Sequence, residues 1–294
     1  MIFYAETQNG QQKLLGEPRE AALAYDRNAP ADLLKVSFPV ESLPEEYCRI
    51  RAVEGGRTFF RGIVDEQITA LSGSGLHLQL ICRSEEALLL DSEAPPGVIT
   101  APSLSVLERR LLIPLGLTLG EGDRSAQTGE LNITKGKSCW TVLADFCGAY
   151  LGTTPWVDEN GLVQCGEMPG QHFELSGIVS AEICLKPAER ISEVWQQSYR
   201  GSYDTRYCAQ TASVPRRRYL SLESTVSPKA LLEAGKRESF SLTVTCLGAL
   251  WPVRGGKISV TLPTLGRFEN LTVEKALYRR NDQGERTRLV LSKS

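Results

Sequence analysis

Short runs of alternating apolar and polar residues, each cut off by glycine, proline or asparagine, recur along this chain. "LLKVSFPV" (33–40) puts Leu34, Val36, Phe38 and Val40 on one side, the period of a half-buried strand. "YCRIRAVEGGRTFFRGIVDEQITAL" reads as strand, turn, strand, and Glu54-Gly55-Gly56 supplies the positive-φ residues of a hairpin turn. "LHLQLICRS" (76–84) sets Leu76, Leu78 and Leu80 on one face and turns His77 away from them. Strands with one apolar face must pair and cover that face. The spacing of the runs therefore predicts a small barrel or sandwich over residues 1–92.

The pattern changes at "DSEAPPGVITAPS" (91–103), where two adjacent prolines, Gly97 and Pro102 predict a linker or an extended crossing segment. "SLSVLERRLLIPLG" follows as a helix. Ser103 or Ser105 can cap it, Leu104, Leu107, Leu111 and Leu112 share a face, and Pro114 with Gly116 ends it. A polar turn leads to a short strand, "LNIT". A second helix follows, with Trp140, Leu143, Phe146, Cys147, Tyr150 and Leu151 at amphipathic spacing and Gly152 at its close. "TPWVDENGLVQCGE" (154–167) predicts a hairpin turning at Asn160-Gly161. Residues 93–172 thus read as an α+β piece. From 173 onward strands return. One helix interrupts them, "SPKALLEAGKRE" (227–238), with Ser227 as cap and Pro228 in its first position. "RYCAQTASV" is one of the strands, and Asn281-Asp282-Gln283-Gly284 makes the last hairpin turn. The chain has 294 residues, 41% of them apolar, enough for two or three cores.

The chemistry-bearing motifs are sparse. Gly136-Lys137-Ser138 matches the end of a phosphate-binding loop, between a strand and a helix. That loop needs a first glycine five residues before Gly136, where the chain has Leu131. The triplet reads as a helix start, with Gly136 turning the chain and Ser138 or Thr134 capping. Only two histidines occur, His77 and His172, and no G-x-S-x-G elbow is present. The acidic pairs Glu45-Glu46, Glu85-Glu86 and Asp158-Glu159 are sequence neighbours, which on a strand point to opposite faces and make poor acid–base pairs. The eight cysteines (48, 82, 139, 147, 165, 184, 208 and 246) form no C-x-x-C pair and read as buried thiols. His172 with Cys165 or Cys184 has no metal-ligand spacing. Arg216-Arg217-Arg218 could meet an acidic partner, though a solvated strand edge is the better reading. Trp156, Trp195 and Trp251 are scattered and form no basic-aromatic stripe. The formal charge of −2 gives no field for DNA. No apolar run has the roughly 18 residues of a membrane helix. The N-terminus lacks the features of a signal peptide, so a cytoplasmic start is expected. No residue is assigned a catalytic, cofactor-binding or metal-binding role, and the expectation is a non-enzymatic assembly component. A cell-wall hydrolase and a nucleic-acid-binding barrel are the alternatives.

Three stretches carry a resemblance: "RTFFRGIVDEQITALSGSGLHLQLICRSEEALLLD", then "APSLSVLERRLLIPLGLTL" with "LNITKGKSCWTVLADFCGAYLGTTPWVDENGLVQ", then "ALWPVRGGKISVTLPTLGRFENLTVEKALYRRNDQGERTRLVL". In order and spacing, from residue 57 to 294, they resemble bacteriophage tail baseplate hub proteins. The likeness is to the Mu-type hub and late control protein D group, related to contractile-tail hubs and to the base of type VI secretion spikes. The resemblance implies a mainly β fold with an α+β insertion, in which two similar small β-barrel domains (1–92 and 173–294) flank a middle α+β domain (93–172). It implies a homotrimer that joins the sixfold tail tube to a threefold central spike. Expected partners are the tail tube or distal tail protein, the central spike protein and the tape measure protein, with neither membrane nor specific nucleic-acid binding. The expected location is the virion tail of a phage, prophage or contractile injection system, assembled in the bacterial cytoplasm. The chain stops at Ser294 soon after its last strand, so spike and cell-wall enzyme are expected on separate chains.

Overall fold

Alternation governs the first seven strands. The structure is a computed structural model that describes residues 1–73, 75–158, 160–168, 172–209, 214–224, 226–250 and 256–293. In it β1 (Ile2–Thr7), β2 (Gln12–Gly16), β3 (Glu20–Asp26), β4 (Leu33–Val40), β5 (Tyr47–Glu54), β6 (Arg57–Ser72) and β7 (Gly75–Ser84) pair in the order β3-β4-β7-β6-β5-β1-β2. Alternate side chains, among them Phe3, Leu34, Val36, Phe38, Ile50, Leu78 and Leu80, enter one core. Burial of each such side chain contributes about 1.5–3 kcal/mol. The β5–β6 turn forms where predicted, with φ of 57° at Gly55 and 82° at Gly56.

The sheet curls. β1 and β4 stand four places apart in the sheet order, about 19 Å on a flat sheet at roughly 4.8 Å per strand. Yet the Phe3 and Phe38 rings meet edge-on at 5.5 Å. The curvature has a visible source in β6, which pairs with β5 through residues 57–63 and with β7 through 62–72. Register shifts at Ala52/Val53 and Val64/Glu66 flank the handover, and such bulges bend strands. Gly62 sits at that handover. A Cβ there would lie 2.3 Å from the Arg83 carbonyl oxygen and 2.6 Å from the Phe60 ring, so only glycine fits.

A second core begins at α1 (Leu88–Asp91). β8 (Gly97–Thr100) lies in the segment predicted as a linker, and pairs antiparallel with β9 (Glu130–Ile133). The prolines confined the prediction to an extended segment, and the partner strand, some thirty residues downstream, makes it part of a sheet. α2 (Leu104–Leu107) starts at Ser103, whose Oγ accepts from the Val106 N–H at 3.3 Å. The helical path continues through residues 108–115 to Gly116, at φ 74°. α3 (Cys139–Phe146) runs on through residues 147–151 and stops at Gly152, φ 64°. Its buried stripe is Cys139, Val142, Leu143, Phe146 and Cys147. Trp140 is one position off that stripe and only half-buried, and Tyr150 and Leu151 lie at the margin. β10 (Trp156–Val157) and β11 (Val163–Gln164) form the expected hairpin, but not with a two-residue turn. Asp158 closes the loop: its Oδ1 accepts from the Asn160 and Leu162 N–H groups at 2.8 and 3.0 Å. Gly161 then supplies the left-handed residue at φ 79°. Glu159 lies outside the described residues.

The remaining elements are β12 (His172–Glu174), β13 (Ile178–Leu185), β14 (Glu193–Tyr199), β15 (Ser202–Cys208), β16 (Arg217–Leu220), α4 (Pro228–Glu238), β17 (Phe240–Leu247), β18 (Lys257–Leu262), β19 (Gly266–Asn281) and β20 (Gly284–Lys293). Of "RYCAQTASV" (206–214), expected as a strand, only residues 206–208 belong to β15, which begins earlier at Ser202; Ala209 lies past its end, and residues 210–213 lie outside the described residues. Two compact units result. One comprises Met1–Pro169, Leu247–Arg254 and Lys275–Thr287; the other comprises Gly170–Cys246, Gly255–Glu274 and Arg288–Ser294. Within the first, residues 275–280 of β19 pair with β3. The second holds the pairings β13–β17 and β18–β19, with β12 parallel to β18. Its core includes Leu242, Val244, Ile258, Val260, Val273, Leu289 and Leu291. The fold is mainly β with a few helices. No helix among the described residues is long and apolar enough to cross a membrane.

Candidate interaction surface

Most strands bury alternate residues, but β15 buries none of its seven, and β16 buries none of its four. With β14 they make a separate sheet in the order β15-β14-β16, β14 running antiparallel to β15 and parallel to β16. Tyr199, Tyr203, Tyr207 and Tyr219 are all exposed on it, Tyr199 by 70%. Exposed aromatic side chains grouped on one sheet make this face a candidate contact surface.

Its polar centre is Glu193. Oε1 accepts from Arg206 Nη2 at 2.6 Å, and Oε2 accepts from Arg217 Nε at 3.0 Å and Trp195 Nε1 at 3.1 Å. The Trp195 N–H, then Arg206, hold the Glu193 carboxyl below the usual carboxylate range. The Arg206 guanidinium lies 5.7 Å from the Trp195 ring centre, and the Tyr203 and Tyr219 rings meet edge-on at 5.4 Å. The arginine triplet is thus partly engaged: Arg217 pairs with Glu193, and Arg216 donates to the Pro187 carbonyl at 3.1 Å. Trp195, one of the scattered tryptophans that form no basic-aromatic stripe in sequence, meets Arg206 through the β14–β15 pairing. Trp251 lies outside the described residues.

α4 borders the same sheet. Ser227 caps it, accepting from the Ala230 N–H at 3.1 Å. At Gly235 a Cβ would stand 2.7 Å from the Glu189 carbonyl oxygen and 3.2 Å from Ile191. Glycine therefore lets the helix lie close against residues 189–191. Between α4 and β15 runs a groove of about 730 Å³, floored by Ile191 and Leu232 and edged by Arg190, Lys229 and Lys236.

The other candidates resolve into architecture. Gly136 has φ 89°, Ser138 Oγ accepts from the Thr141 N–H at 3.2 Å, and Lys137 Nζ is bound to Asp145 Oδ2 at 2.7 Å. The lysine of the apparent phosphate loop is already paired. Glu85, Glu86, Asp32 and Asp158 come together around one cavity, which their sequence positions did not suggest. There Asp158 is committed to its loop, and its Oδ2 accepts from Gln164 Nε2 at 2.8 Å. The cysteines are free thiols, with Cys82, Cys139, Cys147, Cys165 and Cys246 buried. Burial pushes Cys82 up to about 12, and a hydrogen bond to Cys165 together with burial pushes Cys147 up. His172 is exposed on β12. Among the described residues no group of three His, Cys, Asp or Glu side chains could hold a metal.

No protein-family model and no curated protein matches the sequence. Solved structures do match. The tail protein from Neisseria meningitidis MC58 aligns at TM-score 0.77 and 19% identity, over 99% of this chain and 96% of that one. The 43 kDa tail protein of prophage MuSo2 from Shewanella oneidensis aligns at TM-score 0.82 and 14% identity, over 99% and 97%. A type VI secretion system component of E. coli, described as structurally similar to the T4 bacteriophage tail proteins gp27 and gp5, aligns at TM-score 0.56 and 9% identity, over 95% and 74%. The chain shares the fold of the two tail proteins over nearly its whole length.

Proposed function

We propose that this chain is a structural hub in the baseplate of a phage or phage-like tail, a homotrimeric adaptor between the sixfold tail tube and a threefold central spike. The observation that carries the reading is the two-way length match. Tail proteins from Neisseria and Shewanella are covered over 96% and 97% of their chains by 99% of this one. The likeness of the E. coli secretion component to the T4 tail proteins gp27 and gp5 supports a structural role in a phage-like tail. Symmetry supplies the physical logic. Two similar barrels per chain, over 1–92 and 173–294, give three chains six tube-facing positions, while the true axis stays threefold. The middle domain, over 93–172, has its own core around Leu107, Leu143 and Phe146, which supports treating it as a separate packing unit. The tube or distal tail protein, the spike and the tape measure protein are the partners this role requires. The protein would be assembled in the host cytoplasm and reside in the virion tail. The chemistry is non-enzymatic: the carboxylate gathering at Asp158 stabilises a loop, and the exposed sheet offers contact surface.

Light scattering on the purified chain tests this. The expected mass is three times the 32.3 kDa of one chain, falling toward the monomer on dilution. A strict monomer that digests peptidoglycan would overturn it. A second reading, single-stranded nucleic-acid binding, draws on the grouping of Trp195, Tyr203, Tyr219 and Arg206 on one sheet. Glu193 offsets two of the arginines there, which favours a protein partner. Salt-sensitive binding of an oligonucleotide at micromolar concentration would reverse that preference.

A further inference from the structure

The groove between α4 and β15 has a composition that selects its occupant. Lys229, Leu232, Glu233 and Lys236 line it from α4 at the i, i+3, i+4, i+7 spacing of one helix face. Arg190 adds a third cation; Arg206 also lines the groove but is paired with Glu193 at 2.6 Å, and Lys236 lies 3.6 Å from Glu233, so the lining keeps a positive excess centred on Lys229, Lys236 and Arg190. The floor of Ile191 and Leu232 is apolar, and β15 is an edge strand of its sheet. An edge strand beside an apolar floor accepts an extended segment, and the charge calls for an acidic one.

The chain carries a segment of that chemistry. Residues 41–46, Glu-Ser-Leu-Pro-Glu-Glu, join β4 to β5 without helix or strand structure. Leu43 is 78% exposed, and Glu41, Glu45 and Glu46 are exposed around it. Among the described residues its side chains make only long, solvent-facing contacts, Lys13 to Glu45 at 3.4 Å and Gln8 to Glu46 at 3.3 Å, while its backbone is held at one point, where Gln67 Nε2 donates to the Glu45 carbonyl at 2.9 Å. Six extended residues span roughly 20 Å, and the eleven residues of α4 make a wall of about 16 Å. We infer that residues 41–46 of one protomer dock in the α4–β15 groove of the next, with Leu43 on Ile191 and Leu232 and the glutamates against Lys229, Lys236 and Arg190. This rests on the trimeric reading and deepens it. The contact is heterologous, first barrel to second barrel, and three such contacts close a ring.

Charge reversal tests the contact. Lys229→Glu with Lys236→Glu, and separately Glu45→Lys with Glu46→Lys, should each raise the trimer dissociation constant at least about tenfold, since like charges then face each other. All four substitutions in one chain should restore it to within about threefold of wild type. A covalent trap is independent of those variants. Leu43→Cys, treated with diamide, should join its new thiol to the exposed Cys208 of the neighbouring protomer. Two thiols lose two protons and two electrons to the diazene, which becomes the hydrazine, and bands of two and three chains appear on a denaturing gel. Adding Cys208→Ser should abolish them. If wild type is trimeric but neither charge pair weakens it and no cross-link forms, the groove contact is overturned and the hub reading stands. If wild type is monomeric at every concentration, both fall.

Discussion

Lys137 and Ser138 share the apparent phosphate motif yet do different work. Lys137 forms an ion pair with Asp145 in which both side chains are substantially exposed, and such pairs contribute only about 0–1 kcal/mol. Ser138 satisfies an N–H at the start of α3 that has no helical partner, a role that costs about 1 kcal/mol to lose. Leu143, one turn further along, is fully buried, and truncating it should cost about 2–5 kcal/mol by transfer and cavity terms. The expected order in urea unfolding is therefore Lys137→Ala near wild type, Ser138→Ala lower, Leu143→Ala lowest. Trp140→Ala should fall short of the roughly 3–5 kcal/mol of a core tryptophan, because its ring is only half-buried. A Lys137→Ala variant as damaged as Leu143→Ala would mean that the lysine has a structural role beyond its visible ion pair.

At the scale of elements, the long strand β6 depends on one missing side chain. A Cβ at Gly62 would meet a backbone carbonyl at 2.3 Å, and a carbonyl cannot swing aside as a side chain can. Gly62→Ala should destabilise by about 1–3 kcal/mol through overpacking, seen as a lower thermal midpoint, whereas Gly73→Ala, where a Cβ meets nothing within 4 Å, should not. Nothing in the sequence around Gly62 marks it as a crossing point. That contrast shows where the fold was legible. Leu34, Val36 and Phe38 alternate because the strand itself has period two, and Ser103, Ser138 and Ser227 cap helices through bonds three residues away. Such signals are local. The pairing of β8 with β9, the loop anchored by Asp158 and the sheet of β14, β15 and β16 depend on partners brought together by the fold. The Glu193 cluster joins positions 193, 195, 206 and 217, a set with no helical or strand period. Only the arginine triplet hinted at it, and the acidic partner was out of sight.

At the scale of the whole molecule, chain order and packing order part company. The first compact unit takes in Lys275–Thr287 from near the C-terminus. Lys275 to Arg280 pair with Asp26 to Ala21 on β3, and Tyr278 enters the same core as Phe38 and Leu80. The Lys275–Asp26 and Arg280–Glu17 ion pairs line the same edge. A fragment ending at residue 172 therefore lacks a strand of its own sheet. It would expose the β3 edge and open the core where Tyr278 belongs, a lesion in the class of aromatic deletions that cost about 3–5 kcal/mol, with lost strand pairing added. Small domains have only about 5–15 kcal/mol in total. Residues 1–172 expressed alone should consequently lose cooperative melting or aggregate through the bared edge. Supplying residues 266–293 in trans, as a peptide carrying β19 and β20, should restore near-ultraviolet circular dichroism of the fragment's aromatic residues. A fragment that melts cooperatively at the temperature of the full chain would show that the returning strand is dispensable, and that the first barrel is complete before the C-terminal strand arrives. Contacts of such high sequence separation are slow to form. On the expected outcome, the β3 edge opposite β4 stays open until the last residues are available, and folding of the first unit waits for the whole chain.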